Sequence, residues 1–435
     1  MKKFLSLLVT YIIIFSTFLN SAKASYASSD EPNIPAEAAV LMDYETGQVL
    51  FNKNGDKKIY PASTTKAWTA YLVLKYKPNL NERIQITKDP NVEGSNMYLK
   101  VGESFTVKEL LEGLLIHSSN DAAVVLAEYV SGSIKEFANL MNEEAKSIGA
   151  KNTHFTNPHG LPDKNHVTTA NDMALMAREA MSNSVFRDIV KTKSISFPAT
   201  EAYPYERYFI NTNKFLTSNE KINYKGKDID IKYDIVDGIK TGYTDDAGRC
   251  LLSSAVKDGR RLICAVFKST GNDLYLASRT LLDYGFDNYY NETIVSKENY
   301  TKSKRVLFSK QKELIYEPEF SYKILLKNGS PKGSYSVKTK LDNINLPIKK
   351  GNKVGTLEVY NSNKLETKIN LVATNDLNSI FGPLVENKII STIIKVSLIA
   401  VVSIFIILVS MKIRYKRKYR KNIFKNKKRK INKRR

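Results

Sequence analysis

The chain has 435 residues, 42% of them hydrophobic and 26% charged, which excludes a mini-protein, a collagen-like repeat or a wholly disordered chain and leaves room for two or three domains. Its 67 Lys and Arg against 44 Asp and Glu give a formal net charge of +23, which raises nucleic acid or an anionic membrane as a partner. That charge sits at the ends: Lys412 to Arg435 hold fifteen Lys and Arg and no acid, and the body of the chain is only mildly basic.

The N-terminus reads as a signal peptide, residues 1–24, because Lys2-Lys3 precede an apolar run from Phe4 to Leu19 and then small residues ending in Ala22-Lys23-Ala24. An uncleaved N-terminal anchor is the alternative, although the run is short for a bilayer span. Ala38 to Met42 and Gln48 to Phe51, joined around Gly47, predict a β-hairpin. Pro61-Ala62-Ser63 then opens a helix with an apolar stripe through Trp68, Tyr71, Leu72 and Leu74. Helices follow over Val107 to Ile116 and Asp121 to Val130, with only His117 to Asn120 between them. Ser133 and Glu136 have capping-box spacing ahead of Phe137, Leu140, Met141 and Ile148, with Gly149 as the stop. Another helix covers Asn171 to Met181.

From Ser194 the texture turns β-branched and aromatic, with strands expected over Ile235 to Tyr243, Cys250 to Val256 and Leu262 to Phe267. Asp258-Gly259 predicts a two-residue hairpin turn, so that Cys264 faces Ser253 and Cys250 points to the other side of the sheet. A disulfide between the two cysteines is therefore not expected. A helix from Ser278 to Asp283, ending at Gly285, closes an α/β domain with an antiparallel sheet, residues 33–290.

Short alternating strands through Phe320 to Ile324, Tyr335 to Val337, Thr356 to Tyr360 and Thr367 to Leu371 predict a small all-β sandwich, residues 291–375, with a spacer or presentation role. A linker from about Ala373 to Lys388 leads to Ile389–Met411, which is apolar and long enough to be a transmembrane helix; its Lys395, near the outer end, can snorkel. Residues 412–435 form a basic tail that the positive-inside rule keeps in the cytoplasm, leaving the folded body outside. Such a tail could bind RNA, but the adjoining anionic membrane is the favoured partner and no nucleic acid is expected.

No metal site is expected, because the four histidines His117, His154, His159 and His166 lack metal-ligand spacing and two cysteines cannot make a structural zinc site. His154 and His159 flank Asn157-Pro158 in a loop and read as structural. The informative segment is Ser63-Thr64-Thr65-Lys66. A three-residue step puts Ser63 and Lys66 on one helix face, where a neutral amine can take the serine proton. Alone, the same spacing fits an N-cap followed by an exposed lysine. Ser118-Ser119-Asn120 in a tight interhelical loop, and Lys240-Thr241-Gly242 on a strand where glycine leaves room for a ligand backbone, change that reading.

Ser-x-x-Lys, Ser-x-Asn and Lys-Thr-Gly in this order are the motif set of penicillin-binding proteins and class A β-lactamases. The chain resembles the low-molecular-weight penicillin-binding proteins, the D-alanyl-D-alanine carboxypeptidases that are serine peptidases of peptidoglycan, over residues 35–375. The resemblance includes Pro61 to Lys66, Ser118 to Ala122, Asn157 to Leu161 and Asp237 to Thr244, and continues through Pro347 to Gly351 and Val354-Gly355 into the family's β-rich second domain. It implies a β-lactamase-like α/β catalytic fold, a stem pentapeptide substrate, β-lactam inhibitors and no cofactor. It further implies Ser63 as the acylated nucleophile, Lys66 as its base, and Ser118 as a proton shuttle to the leaving D-alanine. Asn120 would hold the substrate amide and Lys66, Lys240 and Thr241 the terminal carboxylate beside Gly242, and the backbone N–H groups of Ser63 and Tyr243 the oxyanion.

Two departures stand out. Many relatives carry an arginine where this chain has Asn272-Asp273-Leu274, with Arg279 further on, and the family's anchor is often an amphipathic helix instead of a span. A β-lactamase would add a glutamate that activates water; Glu179 to Asn183 has a suitable spacing but lies too far from Asn120. A cross-linking transpeptidase shares the acylation chemistry, and a non-catalytic binding protein would have a damaged motif, which none of the three is.

Overall fold

A computed structural model of the chain describes residues 31–382 and 388–432, so the expected signal peptide lies outside the described residues. The chain divides into two compact units, the first running to Asn291 and taking in Leu325–Gly329, the second made of Glu292–Ile324 and everything from Ser330.

The first unit is built on a five-stranded antiparallel sheet in the order Val49–Lys53, Ala38–Asp43, Arg260–Ser269, Gly248–Lys257, Val236–Thr244. Its strands read as apolar runs because helices cover both faces. Alternation then separates two cores instead of core from water. Val40, Leu252, Ile263 and Ala265 face the large helical layer around Trp68, Leu114 and Phe137, whereas Leu41, Leu251, Leu262 and Val266 face the helix Asp273–Asn288. The hairpin register is the one expected, with Ser253 opposite Cys264. Cys250 and Cys264 lie in different cores and both are free thiols.

The helix Asp273–Asn288 starts five residues earlier than the sequence suggests and runs straight through Gly285. That glycine is a packing device and not a stop: a Cβ there would lie 2.7 Å from both Leu262 and Leu41 side chains. The short helix Ser184–Val190, capped by the Asn183 side chain on Val185 and Phe186 N–H, has no counterpart among the expected elements. Helix Thr65–Tyr76 is buried on nearly every side, its exposed residues being Lys75 and Tyr76 at the C-terminal end.

The second unit carries a five-stranded antiparallel sheet, ordered Lys302–Arg305, Glu313–Pro318, Lys364–Ala373, Lys353–Asn361, Tyr335–Leu341. Its core holds Leu314, Leu357, Val359, Ile369, Leu371 and Leu377. Burial of Leu377, and its pairing with Ile348, fold the first part of the expected linker back onto this unit. The C-terminal helix, Lys388–Asn432, begins one residue before the expected span and continues through the described part of the basic tail. Its segment Lys388–Tyr419 is long and apolar enough to cross a membrane and is a candidate anchor.

Candidate active site

Ser63 lies in a single 3-10 turn, Ala62–Thr64, that leads into helix Thr65–Tyr76. The turn is wedged between two backbone stretches, one closed to any Cβ at Gly160 and one tight against a Cβ at Gly242. A Cβ on Gly242 would lie 3.0 Å from Ser63 N, and one on Gly160 would lie 1.9 Å from the Ala62 carbonyl oxygen. The space cleared by Gly242 is thus taken by the Ala62–Thr64 turn itself, where the sequence had suggested room for a ligand backbone. Gly160 also has φ +86°, a conformation that penalises any side chain.

Lys66 follows one helical step later, wholly buried, with Nζ 2.8 Å from Ser63 Oγ and 2.7 Å from the carbonyl oxygen of His159. Burial first, and the neighbouring Lys240 ammonium second, hold the Lys66 amine well below the usual lysine range, against an opposing pull from Asp121. A neutral amine has one lone pair. With an N–H given to the His159 carbonyl, that lone pair is free to face the Ser63 hydroxyl.

The His159 carbonyl is fixed by its own loop. Asn157 Oδ1 accepts from Gly160 N–H at 2.7 Å and His159 N–H at 3.3 Å, and Thr69 Oγ donates to the Pro158 carbonyl at 2.7 Å. Beneath it, His166 Nδ1 accepts from Thr156 N–H at 3.1 Å, which places the ring proton on Nε2, 3.0 Å from Thr65 Oγ. Burial pushes His166 down to about 4 and His159 to about 3, so both rings are neutral scaffold at neutral pH.

The second motif sits where helix Val107–Glu112 widens into a π turn, Gly113–His117, before helix Asn120–Ser131 begins. Single π turns of this kind recur at functional sites. A Cβ on Gly113 would meet Met97 Sδ at 2.1 Å. Ser118 takes a left-handed conformation at φ 71° and Ser119 an extended one. The Asn120 side-chain amide donates to the Glu93 carbonyl, and its own N–H donates to Ser95 O at 2.7 Å. Its bonds therefore go to the 93–95 loop, while those of Lys66 go to Ser63 and His159. Asp121, buried, accepts from Met97 and Leu99 N–H, both at 3.0 Å, pinning the same loop. Its carboxyl is raised above the usual range by burial in spite of those bonds.

The third motif occupies the edge strand Val236–Thr244, whose outer N–H and C=O groups pair with no other strand. Lys240 is buried, with Nζ 2.9 Å from the Thr241 carbonyl oxygen, and burial brings its ammonium down to about 7. Thr241 Oγ lies 2.6 Å from Thr212 Oγ, a partner 29 residues away that no motif announced. Tyr243 is exposed, its hydroxyl donating to Asp245 at 2.8 Å and its ring facing the Arg249 guanidinium at 5.4 Å. Arg279 is used elsewhere, 3.9 Å over the Tyr233 ring and beside Asp283.

A serine on a tight turn, an adjoining desolvated amine and a second buried lysine on a sheet edge form a candidate serine acyl-transfer site on an α/β frame with helices on both faces of the sheet. Comparison with known proteins places it more closely. Residues 25–271 match the family model described as D-alanyl-D-alanine carboxypeptidase, and 289–379 match that of the penicillin-binding protein 5 C-terminal domain. The chain is 35% identical over 391 residues to the D-alanyl-D-alanine carboxypeptidase DacF of Bacillus subtilis, covering 87% of this chain and 95% of that one. Among solved structures, penicillin-binding protein 6B of Escherichia coli matches with a TM-score of 0.59 at 28% identity, over 80% of this chain and 98% of that one. A Streptomyces K15 DD-transpeptidase matches with a TM-score of 0.53 at 31% identity, over 59% of this chain and all of the other. The chain belongs to the D-alanyl-D-alanine carboxypeptidase family of low-molecular-weight penicillin-binding proteins.

Proposed function

We propose that the chain is a serine-type D-alanyl-D-alanine carboxypeptidase that removes the terminal D-alanine from peptidoglycan stem pentapeptides during cell-wall maturation and is acylated by β-lactams. The observation that carries this reading is the Ser63–Lys66 contact of 2.8 Å with a lysine held below its ordinary range by burial. Lys66 takes the Ser63 proton as Oγ attacks the penultimate D-alanine carbonyl. The N–H groups of Ser63 and Tyr243 receive the oxyanion. The C–N bond then breaks as the proton held on Lys66 passes through the Ser118 hydroxyl to the departing D-alanine amine, leaving Lys66 neutral again. Water, deprotonated by the same lysine, hydrolyses the ester and restores Ser63.

Lys240 and the paired Thr241 and Thr212 hydroxyls hold the terminal carboxylate, and Asn120 turns its amide to the substrate peptide. A buried lysine near its titration midpoint becomes fully charged when a carboxylate arrives, so at neutral pH binding takes up about half a proton. In topology, the N-terminal segment is a cleaved export signal, Ile389–Met411 spans the membrane, and the basic tail stays in the cytoplasm. The catalytic unit then faces the wall, and the β-rich unit serves as spacer.

The test is D-alanine release from a synthetic pentapeptide by the full chain in detergent, with intact-mass detection of one penicillin adduct. Loss of both in Ser63→Ala is expected. An adduct that persists in that variant refutes the nucleophile. The likeness to a DD-transpeptidase supports a second reading, in which an amine replaces water as acceptor; a transfer product outweighing free acid at modest amine concentration favours it.

A further inference from the structure

The β-rich unit has one surface where the usual polarity of a protein is inverted. Two segments, Val306 to Lys312 and Leu377 to Gly382, are tied together by Ile380 N–H to Phe308 O and Lys310 N–H to Asn378 O, both 2.8 Å, and by pairing of Ser309 with Ser379. Within this platform Leu377 belongs to the core and Val306 packs against it, but Ser309 and Ser379 also point in while four large apolar residues point out. Ser309 and Ser379 are 5% and 2% exposed, while Leu307, Phe308, Ile380 and Phe381 are 71%, 60%, 51% and 47% exposed. Phe308 holds φ 64°, a left-handed conformation that is costly for a bulky side chain. Its ring centroid lies 5.6 Å from that of Phe381, so the two rings form one patch. Lysines rim it: Lys310 and Lys312 lie on the first segment, and Lys349 and Lys350 enter beside the Ile348–Leu377 pairing. Acids lie among them as well: Asp376 is 3.5 Å from Lys349 Nζ and accepts the Lys350 N–H at 2.7 Å, and Glu313 follows Lys312.

We propose that this platform is a membrane foot, with Leu307, Phe308, Ile380 and Phe381 dipping into the interfacial layer of the leaflet from which the C-terminal helix emerges and the rim lysines meeting anionic headgroups. The occupant follows from the chain itself. The candidate span begins at Lys388, seven residues after Phe381, so the patch cannot be far from the bilayer once that helix is inserted. Aromatic rings with a basic rim are the composition of an interface-seated surface. The platform then gives the β-rich unit a second point of attachment and fixes its orientation, which a flexible tether alone would leave free. The inference rests on the anchor reading above.

The test uses the full chain in vesicles of phosphatidylcholine and phosphatidylglycerol, with an environment-sensitive fluorophore on Phe308→Cys or Phe381→Cys. The native thiols at Cys250 and Cys264 are buried and stay unlabelled. The control is Ser362→Cys, in the turn at the opposite end of strand Lys364–Ala373, roughly 30 Å away by strand rise. Expected are blue-shifted emission and quenching by lipids brominated near the headgroup at both platform sites, with neither at Ser362. Vesicle flotation separates the two readings: a chain that floats with unquenched platform probes overturns the foot and keeps the anchor, and a chain that does not float overturns both. A blue shift that follows protein-to-lipid ratio, without bromolipid quenching, means a second copy covers the patch, and also overturns it.

Discussion

Replacing Lys240 by Met should make the catalytic unit more stable while weakening substrate binding. Burial holds Lys240 at about 7 against an ordinary 10.5, and that depression is a cost of folding at neutral pH. At 1.36 kcal/mol per pH unit the cost is about 4 kcal/mol at pH 7. Met fills a similar volume and needs no charge, but it gives up the bond from Nζ to the Thr241 carbonyl, worth about 1 kcal/mol. A net gain of about 3 kcal/mol remains, or roughly 6–12 °C in the melting temperature of a unit this size. The sign also fixes a pH dependence. Between pH 7 and 10.5 the unfolded chain keeps a proton that the folded chain has lost, so wild-type stability rises with pH through this residue, whereas the variant lacks the term. Calorimetry of wild type and Lys240→Met at a series of pH values should therefore show the variant's advantage shrinking to nothing near pH 10. A variant no more stable at pH 7, or an advantage independent of pH, refutes the claim that burial of this lysine lowers folding stability in the service of substrate binding.

The remaining expectations are shorter. Lys66→Arg keeps a basic side chain but cannot readily release a proton, so penicillin acylation, followed by intact mass, should fall by at least about 100-fold, the usual size of a general-base contribution. In the wild type the same acylation rate should rise with pH as Lys66 loses its proton, levelling off well below the ordinary lysine range; a rate still climbing near pH 10 would exclude Lys66 as the base. Gly160→Ala places a Cβ against the Ala62 carbonyl in a left-handed conformation, so it should destabilise by more than about 1 kcal/mol and slow acylation, as urea unfolding and adduct formation would report. Thiol counting under denaturing, non-reducing conditions should find two free cysteines, whereas a count of zero in monomer would contradict the hairpin register.

What could be read from the sequence was what local geometry fixes. The three-residue step from Ser63 to Lys66 needs only one helical turn, and the two-residue turn at Asp258-Gly259 sets the pairing of every residue from Leu251 to Lys257 with its partner between Arg260 and Val266. The hairpin at Ala38–Asp43 was visible for the same reason. Element ends were harder, because they depend on neighbours distant in the chain. Gly285 is a stop signal by composition, yet the helix passes through it since Leu41 and Leu262 need the space.

The motifs gave the reacting groups but not what makes them reactive. Lys66 is proposed as the base because the His159 carbonyl, 93 residues on, accepts a hydrogen bond from its amine and because the surrounding core removes water from that amine. Thr212 reaches Thr241 from a segment with no motif of its own, and Asp121 acts by fastening the 93–99 loop instead of touching the nucleophile. Each is a contact between segments whose spacing in sequence carries no period, so only the fold brings them together. The costly features gather at the same place: two buried lysines, a left-handed Ala62 and Ser118, and two glycines with little or no room for a Cβ. Concentrated strain and buried charge of this kind lower stability at every position they occupy, and the layered core on both sides of the sheet is what offsets them.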